Sequence, residues 1–305
     1  MSIMGVNKIF VKEILSFVPR HKLVSEKDLN ILLDFIESKS KILVLTGAGV
    51  STESGIPDYR SEDVGLYARS NSRPVQYQNF IKSSHARRRY WARNFVGWER
   101  FSSFQPNESH RAIRDLECTY NKVSCLITQN VDNLHFKAGS KNVIELHGTA
   151  FKVVCLYCNE LFDRHDVQDL IKRQNPEMNE TSKFMRPDGD VELDDSVVER
   201  FTVPSCPQCS GVIKPNIVFF GENVPKARVS LVAREIDACD SALVIGSSLS
   251  TYSGLRIAAQ VNDLGKPVAV LNIGSTRADS FAKFKIECRC GDVLTKLPWD
   301  RLVKS

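Results

Sequence analysis

The stretch GAGVSTESGIPDYR, residues 47–60, decides the reading of this chain. It follows Lys41-Ile-Leu-Val-Leu-Thr46, an apolar run that predicts a buried strand. Gly47 and Gly49 stand at the end of that strand, where a backbone without Cβ can turn tightly and admit an anionic ligand. Ser51 and Thr52 then open a predicted helix, whose free N–H groups favour a phosphate. Asp58, Tyr59 and Arg60 follow a proline, so they belong to a fixed non-helical loop beside the same site. Strand, glycine turn, helix start and rigid polar loop point to a dinucleotide site with chemistry attached. Taken alone, a Gly-x-Gly after a strand is also read as nothing more than a tight turn. The dehydrogenase fingerprint is incomplete, because Thr52 stands where the third glycine belongs and no acid waits about 20 residues on.

Working outward, the 305 residues are 42% hydrophobic and 25% charged, enough for one large domain and a smaller one. No apolar run approaches the roughly 18 residues needed to span a bilayer, which argues against a membrane protein. A net charge of +5 is too weak to imply nucleic acid by itself. Nine cysteines is an odd number, and four lie in two Cys-x-x-Cys pairs. That usage indicates metal rather than disulfides, and a reducing compartment. The first twenty residues set Lys8, Lys12 and Arg20 against Glu13 among apolar residues. They read either as the remnant of an amphipathic mitochondrial targeting segment or as a plain N-terminal tail.

Along the chain, Ser25 and Asp28 form a capping box, and Leu29, Leu32, Leu33 and Ile36 give a helical face over 26–38. Residues 61–105 are polar, aromatic and Arg-rich, and predict a mostly helical insertion. Ala112, Ile113 and Leu116 mark a further helix. Predicted strands at 123–128, 143–146, 212–220, 242–245 and 268–271 alternate with helical faces. Alternation of this kind predicts a doubly wound parallel sheet, an α/β fold of the Rossmann-like type. Ligands in such sheets lie beyond the carboxyl ends of the strands. The polar clusters at 47–60, 129–132, 147, 246–248 and 272–274 all fall there, so one site could gather them.

Cys155-x-x-Cys158 and Cys206-x-x-Cys209 supply four thiolates, which suits a closed, structural tetrahedral zinc site. The gap between the pairs exceeds the usual ribbon spacing. The acidic residues 174–200 within it read as an inserted loop, either disordered or folded toward the substrate channel.

These segments together resemble the sirtuin family. The resemblance is carried by GAGVSTESGIPDYR, TQNVDNLH at 128–135, ELHG at 145–148, the cysteine pairs, VFFGE at 218–222, GSSL at 246–249 and NIG at 272–274. Within the family, GIPDYRSEDVGLYARS and RYWARNFVGW are most similar to a class II, mitochondrial branch of vertebrates. The resemblance implies a Rossmann-like domain from 25–65, 106–150 and 212–305 behind a tail at 1–24. It implies a small domain from a helical module, 66–105, and a zinc module, 151–211. It implies NAD-dependent removal of acyl groups from protein lysine, giving nicotinamide and an O-acyl-ADP-ribose. His147 would be the general base, assisted by Asn130 and Asp132. Gly47, Ala48, Gly49, Thr52, Asp58, Tyr59, Arg60, Gln129 and Val131 would hold NAD with Gly246, Ser247, Ser248, Asn272, Ile273, Gly274 and Cys290. Val218, Phe219, Phe220, Gly221 and Glu222 would form an edge strand for the substrate peptide. Tyr90 and Arg93 would receive the far end of a carboxylated acyl chain; lipoyl-type chains are also allowed. The implied setting is a monomer in the mitochondrial matrix acting on acylated metabolic enzymes. Two other readings stay open: an ADP-ribosyltransferase at the same NAD site, and a zinc-ribbon module binding nucleic acid through the 85–93 run.

Overall fold

The computed structural model describes residues 17–70, 73–182 and 185–304. Most of the N-terminal stretch read as a targeting segment or tail lies outside them.

The organising strand is β1, Ile42–Thr46, whose five residues are all buried. It lies between β2, Val123–Thr128, and β7, Ser241–Ile245, parallel to both. β3, Val143–Glu145, extends the sheet beyond β2. β8, Val268–Leu271, and β9, Phe284–Ile286, extend it beyond β7, giving the order β3-β2-β1-β7-β8-β9. The alternation of side chains along β1 divides the core in two. Ile42 and Val44 pack with Leu32, Leu33 and Ile36 of helix 26–37, Ile113 and Leu116 of helix 108–118, and Val293 and Leu294 of helix 290–295. Leu43 and Leu45 face the other way, onto Val232 and Ile236 of helix 226–238 and Ile257, Ala258 and Val261 of helix 252–263. The predicted doubly wound sheet is therefore present, with helices on both faces. The predicted capping box is made as read: Ser25 Oγ accepts from Asp28 N at 3.2 Å and the Asp28 carboxylate accepts from Ser25 N at 3.1 Å.

A second, antiparallel sheet has the order β5-β4-β6, from β4, Gly148–Cys155, β5, Leu161–Asp163, and β6, Ile213–Ile217. This sheet begins three residues before the predicted start of the zinc module and runs past its predicted end. Against it lies the 61–105 insertion, helical as expected, whose main element is the helix Ser84–Ser103. Trp91, Phe95, Trp98 and Phe101 of that helix form one core with Val153, Ile171 and Ile213. Residues 174–200 are not a featureless loop. Met185 and Val191 pair as an antiparallel bridge, and residues 195–200 form a short helix.

Candidate active site

Beyond the ends of β1, β2, β7 and β8 opens a cavity of about 1330 Å³. Its lining gathers Gly47, Ala48, Gly49, Asp58, Tyr59, Arg60, Gln129, Asn130, Val131, Asp132, His147, Val218 to Glu222, Gly246, Ser247, Ser248, Asn272, Ile273 and Gly274. The strand-end motifs, scattered over 228 positions from 47 to 274, thus share one space.

The glycines act differently from the sequence expectation. Residues 48–54 form a 3-10 turn, not a helix opening at Ser51, and the turn closes on Gly55 at φ 91°. Gly49 N donates to Gly246 O at 2.9 Å, and a Cβ on Gly49 would come within 2.8 Å of that oxygen. Gly246 itself has φ 61°, and a Cβ there would meet Val50 N at 2.4 Å. The glycines let the loops after β1 and β7 press backbone to backbone.

Asp132 lies at the floor, 5% exposed. It accepts from Ser51 Oγ at 2.7 Å, and Asn130 Nδ2 donates to Ser51 Oγ at 3.0 Å and to Gly47 O at 3.1 Å. Burial pushes the Asp132 carboxyl above its usual range, against the hydrogen bonds from Leu134 N and Ser51. Gln129 Nε2 donates to Ser247 Oγ at 2.8 Å, and Thr251 Oγ1 donates to Gln129 Oε1 at 2.9 Å. These bonds tie the loops after β1, β2 and β7 together.

His147 sits between β3 and β4. Its Nδ1 is 2.9 Å from the main-chain oxygen of Gln129, and its Nε2 is 2.8 Å from Ser253 Oγ. A carbonyl can only accept, so Nδ1 carries the proton and Nε2 is the free base. Burial holds the imidazole below its ordinary pKa, the Gln129 carbonyl partly opposes this, and Arg228 adds to it. Gly148, at φ 79°, lets the chain turn out of the site, because a Cβ there would fall 2.0 Å from Asn216 O.

Several expectations are corrected. Thr52 is buried and turns its hydroxyl back to Gly49 O at 2.9 Å, away from the cavity. Cys290, expected to act through its backbone, is not among the lining residues, and its thiol turns toward Leu271 O. Residues 218–222 line the cavity but do not continue β6, which ends at Ile217. They make a turn: Glu222 N donates to Phe219 O, Gly221 has φ 78°, and the Glu222 carboxylate accepts from Phe219 N at 2.8 Å and pairs with buried Lys214 at 2.9 Å. Phe219 is core, packed edge-on against Phe80 and Tyr90.

Tyr90 and Arg93 do not reach the lining. Tyr90 is 3% exposed within that aromatic cluster. Arg93 is 5% exposed, with Nε 3.0 Å from Asp190 Oδ1 and also donating to Val191 O. Asp190 is shared with Arg186 at 2.9 Å. The cation expected in the acyl channel is thus neutralised by the insertion, whose turn places Pro187 and Asp188 on the cavity wall instead. The same burial breaks up the basic run on which the alternative nucleic-acid reading rested: Tyr90, Trp91 and Arg93 are inside, and Arg87 donates to Phe80 O and Ile81 O. Ser51 was read as part of the helix start, not as the partner of Asp132, and Thr251, Ser253 and Arg228 were not singled out from sequence; lone polar residues outside any motif carry no signal of their partners.

The Sγ atoms of Cys155, Cys158, Cys206 and Cys209 all lie within 4.8 Å of one another, and Cys155–Cys209 and Cys158–Cys206 are 3.5 and 3.7 Å apart. Zinc–sulfur bonds of about 2.3 Å at tetrahedral angles require separations of roughly 3.8 Å, so the set fits one zinc ion.

Comparison with known proteins follows the same lines. The profile of the Sir2 family matches residues 47–253. The Drosophila melanogaster NAD-dependent protein deacylase Sirt4 is 53% identical over 281 residues, covering 92% of this chain and 90% of that protein. The Homo sapiens NAD-dependent protein lipoamidase sirtuin-4, mitochondrial, is 47% identical over 278 residues, covering 91% and 88%. A solved structure described as Sir2-p53 peptide-NAD+ matches with a TM-score of 0.70 at 27% identity, covering 91% of this chain and 99% of that one.

Proposed function

The chain belongs to the Sir2 family, and from that premise we propose how its cavity works as an NAD-dependent protein-lysine deacylase of the mitochondrion. The observation that carries the reading is the convergence of Gln129, Asn130, Asp132, His147 and Ser247 on one cavity through a connected set of hydrogen bonds.

The lining fits a dinucleotide: amides, hydroxyls and main-chain groups at 246–248 and 272–274 on one side, and Asn130 and Asp132 on the other. NAD supplies the ribose carbon that receives the acyl oxygen and the nicotinamide that leaves. Asn130 and Asp132 are held rigid through Ser51, so they can orient a polar ring without reorganising. His147 Nε2 is placed to take a proton from a hydroxyl on the cavity side, and its lowered pKa keeps it unprotonated near neutrality. Ile56, Val218, Phe219 and Phe220 make an apolar wall that suits the lysine stem and acyl chain.

With Arg93 paired to Asp190, the 185–191 turn offers the acyl chain Pro187 and Asp188 in place of the Arg93 guanidinium. We therefore assign long, largely apolar acyl groups of the lipoyl type as favoured over carboxylated ones, in keeping with the lipoamidase relative. The 218–222 turn serves as the backbone contact for the substrate peptide. We further place the protein in the matrix as a monomer acting on acylated metabolic enzymes.

The test is a mass-spectrometric screen of acyl-lysine peptides with NAD. Nicotinamide and the O-acyl-ADP-ribose should appear in equal amounts, fastest with lipoyl-type chains. His147→Ala should lower the rate by roughly 10²–10⁴ with zinc retained. Near-wild-type turnover by that variant would remove His147 from its role.

A further inference from the structure

The hydrogen bond between Ser253 and His147 has consequences beyond the placement of the base. Nδ1 of His147 faces only a carbonyl oxygen, so the lone pair available for chemistry is on Nε2, and Ser253 Oγ sits 2.8 Å from it. We propose that Ser253 is a positioning residue for the base: its hydroxyl donates to Nε2 and fixes the imidazole with that lone pair at the cavity wall until a substrate hydroxyl takes its place. The proposal rests on the assignment of His147 as the base.

The local structure explains why a serine is available there. Thr251 caps helix 252–263, its Oγ1 accepting from Gly254 N at 3.2 Å. The same Thr251 hydroxyl donates to Gln129 Oε1, and a Cβ on Gly254 would fall 2.5 Å from that oxygen. The helix start is therefore pressed onto Gln129, the residue whose main chain holds Nδ1. One rigid unit grips both ring nitrogens, from Gln129 on one side and Ser253 on the other. With both held, a flipped ring would set a C–H against the carbonyl and lose the hydroxyl. Ser253 is partly exposed on the cavity wall, so a substrate hydroxyl can approach the same nitrogen. On its arrival the serine gives up the lone pair and the substrate's proton moves to Nε2.

The experiment compares Ser253→Ala, Ser253→Thr and His147→Ala on one acylated peptide, with kcat, KM and single-turnover nicotinamide release measured separately. Ser253→Ala should lower kcat for deacylation by roughly five- to twenty-fold, within the reach of general-base effects, with KM for NAD and peptide within about two-fold. Nicotinamide release precedes the need for a base and should be little changed. Ser253→Thr keeps the hydroxyl and should recover most of kcat. An unchanged kcat in Ser253→Ala, beside a hundred-fold or greater loss in His147→Ala, overturns the serine's role and leaves the base intact. A loss that threonine does not rescue, or one carried by KM, reduces Ser253 to a structural contact. An active His147→Ala instead overturns the assignment of the base.

Discussion

At His147 two oxygens settle the acid–base chemistry: the Gln129 carbonyl selects the tautomer, and the Ser253 hydroxyl marks where the proton will go. The direction of the pKa shift then fixes a pH dependence. As the proposed base, His147 works unprotonated, and burial places its pKa below the ordinary 6.5, so activity should persist as pH falls past 6.5 and be lost only below it. A kcat/KM profile taken from pH 4.5 to 8 reads this directly. An acid limb above pH 7 would mean that some other group is being titrated. A lone histidine at a strand end is more often structural; what singled out His147 was the ELHG motif at 145–148, through the family resemblance. Arg93 was misread for a physical reason. Its helical spacing from Tyr90 is real, but the direction of that face depends on a partner, Asp190, that is 97 positions away and lies in a segment without periodicity.

Among the elements, the turn at 185–191 was the least foreseeable. Its acidic composition favours disorder, and the buried Arg93–Asp190–Arg186 set, the Met185–Val191 bridge and the burial of those two apolar side chains give it a fixed shape. Removing Arg93 leaves Asp190 to Arg186 alone and strips the donor from Asp190 Oδ1 and Val191 O, at a cost of about 1–3 kcal/mol. Arg93→Met should therefore destabilise the protein in urea unfolding. It should lower kcat/KM to a similar degree on acetyl, glutaryl and lipoyl peptides, because it loosens the wall that carries Asp188. Adding Asp190→Leu should not restore the stability, because Asp190 also holds the buried Arg186, which would keep only Glu192. A ten-fold loss confined to carboxylated acyl groups would return Arg93 to the acyl channel. Five of the six strands of the large sheet were read to within a residue or two, the inner ones as apolar runs buried on both faces, whereas the three-residue β9 was not read and the strand expected at 212–220 belongs to the antiparallel sheet. The 218–222 segment looked like one more such run. It is bent by Gly221 and by Glu222 reaching back to Lys214, contacts that no local pattern encodes.

For the whole molecule, the sheet brings distant loops to one cavity, and the small domain closes it from the other side. The bridge between the two is short. β4 runs from Gly148, next to His147, to the metal ligand Cys155, and β6 returns from Ile213, just beyond Cys209, to Ile217, after which Val218 N donates to His147 O at 2.7 Å. Cys155→Ser should abolish zinc binding, measured by elemental analysis, and open the small domain to protease, because the metal contributes directly to folding. Wild-type stability without metal would contradict this. β4, about 23 Å long at 3.3 Å per residue step, thus links the four sulfurs at one end to His147 at the other, like one arm of a pair of tongs. Pulling the rivet at the cysteine end slackens the grip at the histidine end. Zinc chelators that never enter the NAD cavity should therefore act as slow inhibitors noncompetitive with NAD, read as a fall in kcat with KM for NAD unchanged.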